Sequence, residues 1–158
     1  MTVNDRAILR QRLIALLDAE RVQVEAFVTL LEEERTVLGQ REVEPLFGIA
    51  ERKTALARTL QQFADNRAAL LAQAGQQSSR EGIEALLANA AHPSWQAYLA
   101  QVKLARDLNA DNGIRITEQL SSNHQALAML MSLSDRPTTY GPDGQTSTRP
   151  GSRLFGSV

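Results

Sequence analysis

Residues 93–133, PSWQAYLAQVKLARDLNADNGIRITEQLSSNHQALAMLMSL, decide the fold of this chain. Trp95, Leu99, Val102, Ala105, Asn109, Asn112, Ile116, Leu120, Asn123, Leu127 and Leu130 recur in steps of three and four, one stripe of a single long helix. At 1.5 Å per residue that helix spans about 60 Å. A helix of this length needs neighbours of similar length to cover its stripe. Three asparagines, Asn109, Asn112 and Asn123, interrupt the apolar seam. A buried seam Asn fixes register, because a slipped partner leaves the amide unpaired. One reading is a partly wet seam. The other is a face that awaits a partner. Gly113 sits in mid-helix, where Gly costs about 1 kcal/mol relative to Ala; close packing or a local loosening would explain it.

The neighbours lie upstream. Leu9, Leu13, Leu16, Val24, Phe27, Leu31 and Leu38 form one stripe and predict a helix over about 5–38. Gly39 suits the left-handed residue after a helix. Glu42, Glu44 and Pro45 then suit a new N-terminus, with a kinked single helix as the alternative to a turn. Leu46, Ile49, Ala50, Leu56, Leu60, Phe63, Leu70 and Leu71 carry a second helix over about 42–73. Ser78 and Glu81 have capping-box spacing and open a short helix over about 79–89. His92-Pro93-Ser94 punctuates before the long helix. The expected architecture is all-α: an elongated antiparallel three-helix, coiled-coil-like bundle with an additional short helix, spanning residues 1–134, and a flexible tail over 135–158.

Glu20, Glu34, Lys53 and Arg67 fall on these stripes. The two carboxylates are fourteen residues apart, roughly 21 Å along a helix, too far to share one bond-breaking step. Interhelical ion pairs or snorkelling side chains are the expected roles. The chain carries 17 Lys and Arg against 18 Asp and Glu, which argues against a nucleic-acid partner. It has no cysteine and two histidines, His92 and His124, without metal-ligand spacing. No nucleophile elbow or phosphate-cradling loop occurs. The reading is of a protein that is not an enzyme and needs no metal or cofactor. Arg6, Arg10 and Arg12 break the first apolar run, so neither a signal peptide nor a membrane-inserted helix is expected.

Leu127, Met129, Leu130, Met131 and Leu133 give the long helix apolar character on more than one face near its end. Core at a bundle end would account for them, and so would a docking surface of adaptable side chains. From Asp135 the helical pattern stops. Pro137, Pro142, Pro150 and four of the nine glycines lie in the last 24 residues. Such a segment buries too little apolar surface to offset the entropy of ordering it. Helix end and tail together read as one docking segment that orders on contact.

Asn109-Ala110-Asp111-Asn112-Gly113, Gln125-Ala126-Leu127-Ala128-Met129-Leu130 and Thr139-Tyr140-Gly141-Pro142-Asp143-Gly144-Gln145-Thr146, in this order after long helices, resemble the FlgN family. Leu30-Leu31, Glu34-Arg35 and Lys53 fit the family's looser N-terminal pattern. The resemblance implies a cytoplasmic bacterial chaperone of flagellar type III export. It would bind the hook–filament junction proteins FlgK and FlgL, prevent their early association and deliver them to the export gate protein FlhA. It implies that the last helix and tail hold cargo, placing Asn109, Asn112, Ile116, Leu120, Asn123, Leu127, Leu130 and Met131 in that role. It also implies that Tyr140, with Gly141 and Gly144 beside it, docks on the gate. The alternative from the stripes alone is a structural coiled coil that associates with itself.

Overall fold

The computed structural model describes residues 3–134, 139–140 and 146–147. Four helices follow in order: α1 (Val3–Gln40), α2 (Glu44–Gln73), α3 (Arg80–Leu87) and α4 (Pro93–Ser134). Two short strands, β1 (Thr139–Tyr140) and β2 (Thr146–Ser147), come after them. The protein is an all-α helical bundle, as the stripes predict. By contact density the chain divides into two units, Met1–Ile116 and Thr117–Val158. The division falls inside α4, before the end of the helix at which the sequence suggests a boundary.

In the first unit the chain turns rather than kinks between α1 and α2. Pairs across the two helices run Glu20–Arg67, Glu33–Arg52 and Glu34–Lys53. From Glu20 to the adjacent Glu33 and Glu34 the α2 partner's number falls from 67 to 52 and 53, which defines an antiparallel hairpin. Gly39 is not the left-handed residue that the sequence suggests. The helix runs through it to Gln40, and Arg41 takes the positive φ of 58° while its N–H reaches Leu38 O at 3.3 Å. Closing the hairpin here imposes the strained geometry on an arginine. Pro45 lies in the first turn of α2, where it removes no helical hydrogen bond.

Within the first unit α4 enters beside α1 and runs parallel to it. Tyr98 bonds Glu20 and Asn112 bonds Glu34, each pair 78 positions apart. Against α2, Tyr98 meets Arg67 and Asn109 meets Lys53, so that pair is antiparallel. An up-down-up arrangement results, with Leu13, Leu17, Leu31, Leu71 and Leu86 wholly or almost wholly inside. Leu17 occupies the core position that the sequence reading gives to Leu16, which is half-buried.

The short α3 closes one end. Its cap is Ser79, not Ser78: the hydroxyl of Ser79 accepts from Gly82 N at 3.2 Å. Ser79 and the Glu81 residue's own backbone N–H also hold the Glu81 carboxyl below its usual pKa, the backbone bond contributing most. Gly82 is required for space, because a Cβ there would stand 2.0 Å from Gln77 O. Two α1 side chains finish the other end. Arg6 donates to Ala85 O and Arg10 to Leu86 O, satisfying carbonyls that a helix C-terminus leaves free. Trp95 stacks on Tyr98 with ring centroids 5.6 Å apart, and its indole N–H reaches Glu84.

Candidate protein-docking surface

The site is built from the way α4 spends its stripe. Within the first unit the stripe faces α1 and α2. Trp95, Tyr98, Ala105, Leu108 and Asn112 are buried there, with Leu99 and Val102 packed against the cluster. Tyr98 and Leu108 escape the sequence reading, which follows Leu99 and Asn109 instead. Their spacing from Trp95, Ala105 and Asn112 is the available signal, since a long stripe drifts around the helix and two adjacent residues share it.

Two polar layers pin this half of α4. In the first, Arg67 pairs with Glu20, and Tyr98 Oη donates to Glu20 Oε1 at 2.9 Å. Burial, with the neighbouring carboxylate, pushes the Tyr98 phenol up to about 12, although Arg67 opposes the shift. Burial is the largest single influence on the Arg67 charge and works against it, but Glu20 and Tyr98 together outweigh it and raise its pKa. In the second layer, Lys53 Nζ donates to both Glu34 oxygens, at 3.1 and 3.0 Å, and to Asn109 Oδ1 at 3.0 Å. Asn112 Nδ2 donates to Leu31 O at 2.8 Å and Glu34 Oε2 at 2.9 Å. The expected ion pairs at Glu20, Glu34, Lys53 and Arg67 are therefore present, and each holds a helix in register.

These layers sort the residues that the sequence assigns to cargo. Asn112 has no exposed surface, and its amide is committed to α1. It is a register residue of the bundle, which corrects its place in a docking face. Its Oδ1 lacks a hydrogen bond, which adds to the cost of the site. Asn109 lies at the surface with its oxygen taken by Lys53. Ile116 is half-buried.

Beyond Ile116 the same helix exposes its stripe. Leu120 is 56% exposed, Leu127 55%, Leu130 65% and Met131 59%. Asn123 is exposed between them. At 100° per residue these five side chains and Ile116 fall on one face, while Met129, 68% exposed, lies on the other. In water such a row is unfavourable unless something covers it. Gly113, at the approach to this stretch, has nothing within 4 Å of a Cβ built on it, so close packing does not explain it.

The tail residues are placed only in part. Tyr140 pairs with Thr146 and Thr139 with Ser147 in an antiparallel ladder, within the span that the sequence reading gives to the tail. Gly141, Gly144 and the rest of the predicted flexible tail lie outside the described residues. Among the described residues no group of three or more His, Cys, Asp or Glu could hold a metal, and no helix is long and apolar enough to cross a membrane.

A family model described as FlgN protein matches residues 1–148. The chain belongs to the FlgN family. FlgN proteins are flagellar export chaperones and not a family of enzymes, so binding of flagellar export substrates is the general role of this chain. The match takes in the bundle, all of α4 and both short strands. No curated protein and no solved structure matches the chain.

Proposed function

We propose that this FlgN protein holds the C-terminal helical segments of the hook–filament junction proteins FlgK and FlgL against the exposed α4 face. Leu120, Asn123, Leu127, Leu130 and Met131 form the contact, with Ile116 and Asn109 at its edge. The row of large apolar side chains left uncovered after Ile116 carries this reading. Export substrates present amphipathic helices that would otherwise associate with one another, and helix-on-helix packing covers both surfaces. Fully covering a Leu or Met is favourable by roughly 1.5–3 kcal/mol. Association costs several kcal/mol or more in lost freedom. The balance leaves a moderate affinity, which suits a chaperone that must release its load.

The tail over 135–158 completes the role. Tyr140, with Gly141 and Gly144, docks the loaded chaperone on the gate protein FlhA in the cytoplasm, and the helical part over 1–134 folds without it. Deleting 135–158 leaves helical circular dichroism unchanged and weakens capture of FlgK, FlgL or FlhA in pull-downs; unchanged capture of all three removes the tail from the account. Tyr140→Ala keeps cargo capture and lowers export. Collapse of cargo capture in that variant reassigns Tyr140 to the cargo site. Light scattering over a concentration range tests self-association: a mass that grows with concentration would assign the exposed face to a second copy of the chain.

A further inference from the structure

A second uncovered apolar feature lies in the first unit, where the chain turns from α1 into α2. Phe47 is 71% exposed and Val43 61% exposed. Val43 has helical φ and ψ at the N-cap of α2, so Val43 and Phe47, four positions apart, neighbour each other on one helix face. Glu44 stands three positions before Phe47 and Glu51 four positions after it, on the same face, and both are exposed. Glu42 adds a third carboxylate, and an open cavity of about 420 Å³ is lined by Glu42, Val43, Glu44 and Pro45. Gly48, next to Phe47, has nothing within 4 Å of its Cβ position, leaving the backbone open to close approach.

The bundle does not use this face. Ile49 points inward and is 1% exposed, and Lys53 serves the Glu34 layer. The nearby Arg52 is engaged by Glu33, so it does not neutralise the rim. Arg41, in the turn, offsets one of the three carboxylates. A negative charge at a helix N-terminus explains Glu44. It does not explain an exposed phenylalanine one turn on, nor Glu51 beyond it.

We propose that the α1–α2 turn is a second docking surface, separate in residues from the α4 face, that takes an apolar side chain flanked by Lys or Arg from a partner protein. The charge of the rim selects this occupant. An exposed Phe and Val would also suit a membrane surface, but three carboxylates oppose an anionic one. An aromatic anchor ringed by charge is the composition in which a few residues dominate binding, and the carboxylates set which partner approaches. Such a surface lets the chaperone engage a basic component while cargo occupies α4.

The test uses the full chain and two labelled peptides too short to form a helix, one with Leu flanked by Lys, the other with Leu flanked by Glu, read by fluorescence anisotropy. The Leu/Lys peptide should bind and the Leu/Glu peptide should not. Phe47→Ala, and separately Glu44→Gln with Glu51→Gln, should each weaken binding at least tenfold, while Leu127→Asp with Leu130→Asp should leave it unchanged. Both turn variants should still capture FlgK, so failure of this surface and failure of the α4 reading are distinguishable. The proposal is overturned if Phe47→Ala has no effect, if neither peptide binds, or if only the α4 variant loses binding. It is also overturned if light scattering shows a concentration-dependent dimer that Phe47→Ala abolishes, which would make the occupant a second copy.

Discussion

From Trp95 to Asn112, α4 hides its stripe under α1 and α2; from Leu120 to Met131 it leaves the stripe exposed. Spacing does not distinguish the two stretches, since both repeat in threes and fours. The difference lies in what each meets. The first has Glu20, Glu34, Lys53 and Arg67 opposite it to bond Tyr98, Asn109 and Asn112. A periodic stripe therefore says that a helix has a side to be covered, and the polar layers say where its own chain does the covering.

The comparison breaks most visibly at Glu20. Glu20→Ala strands the half-buried Arg67 and removes the acceptor of Tyr98, and should cost about 3–5 kcal/mol in urea denaturation. Leu31→Ala, in the α1 face under α4, should cost about 2–5 kcal/mol. Leu127→Ala, at an equivalent stripe position of the exposed stretch, should change stability by less than about 0.5 kcal/mol. Similar losses at Leu31 and Leu127 would mean that both stretches are core.

The layer at Tyr98 gives a pH signature. Its folded-state pKa, raised to about 12, lies above the unfolded value near 10. The folded state then holds the proton more tightly. That stabilisation is complete below pH 10 and is lost as pH rises from 10 toward 12. Tyr98→Phe forgoes one hydrogen bond, worth about 1 kcal/mol at neutral pH, but lacks this loss. The stability of wild type relative to the variant should fall by roughly 1 kcal/mol between pH 10 and 11. A gap that stays constant contradicts the buried phenol. The smallest effect is at the junction of the two stretches. Gly113→Ala places a methyl in open space within a helix and should stabilise by about 0.5–1 kcal/mol in thermal melts. A loss of stability would mean that the glycine serves packing.

Much of this was legible beforehand. The stripes give three of the four helices and a capping-box spacing the short one, with ends within two or three residues, because apolar periodicity follows from the burial that forms a helix. Glu20, Glu34, Lys53 and Arg67 stand out as charges on apolar stripes, and their pairing follows. The fine geometry was less accessible. Arg41 rather than Gly39 takes the left-handed turn because hairpin closure overrides local preference. Ser79 rather than Ser78 caps α3 because both hydroxyls fit the local pattern and tertiary packing chooses the frame. Asn112 could not be told from Asn123 by type or spacing. One meets a carbonyl and a carboxylate of α1, and the other lies exposed. Phe47 looks like an ordinary member of a helix, and only its exposure marks it.

Hydrogen exchange on the full chain, with and without a FlgK C-terminal segment, tests the central claim most directly. Amides over 117–134 should gain protection when the segment is added, while those over 9–38 of α1, already covered by the chain itself, should not change. Bound segment with no gain of protection over 117–134 would contradict the assignment of cargo to the exposed half of α4.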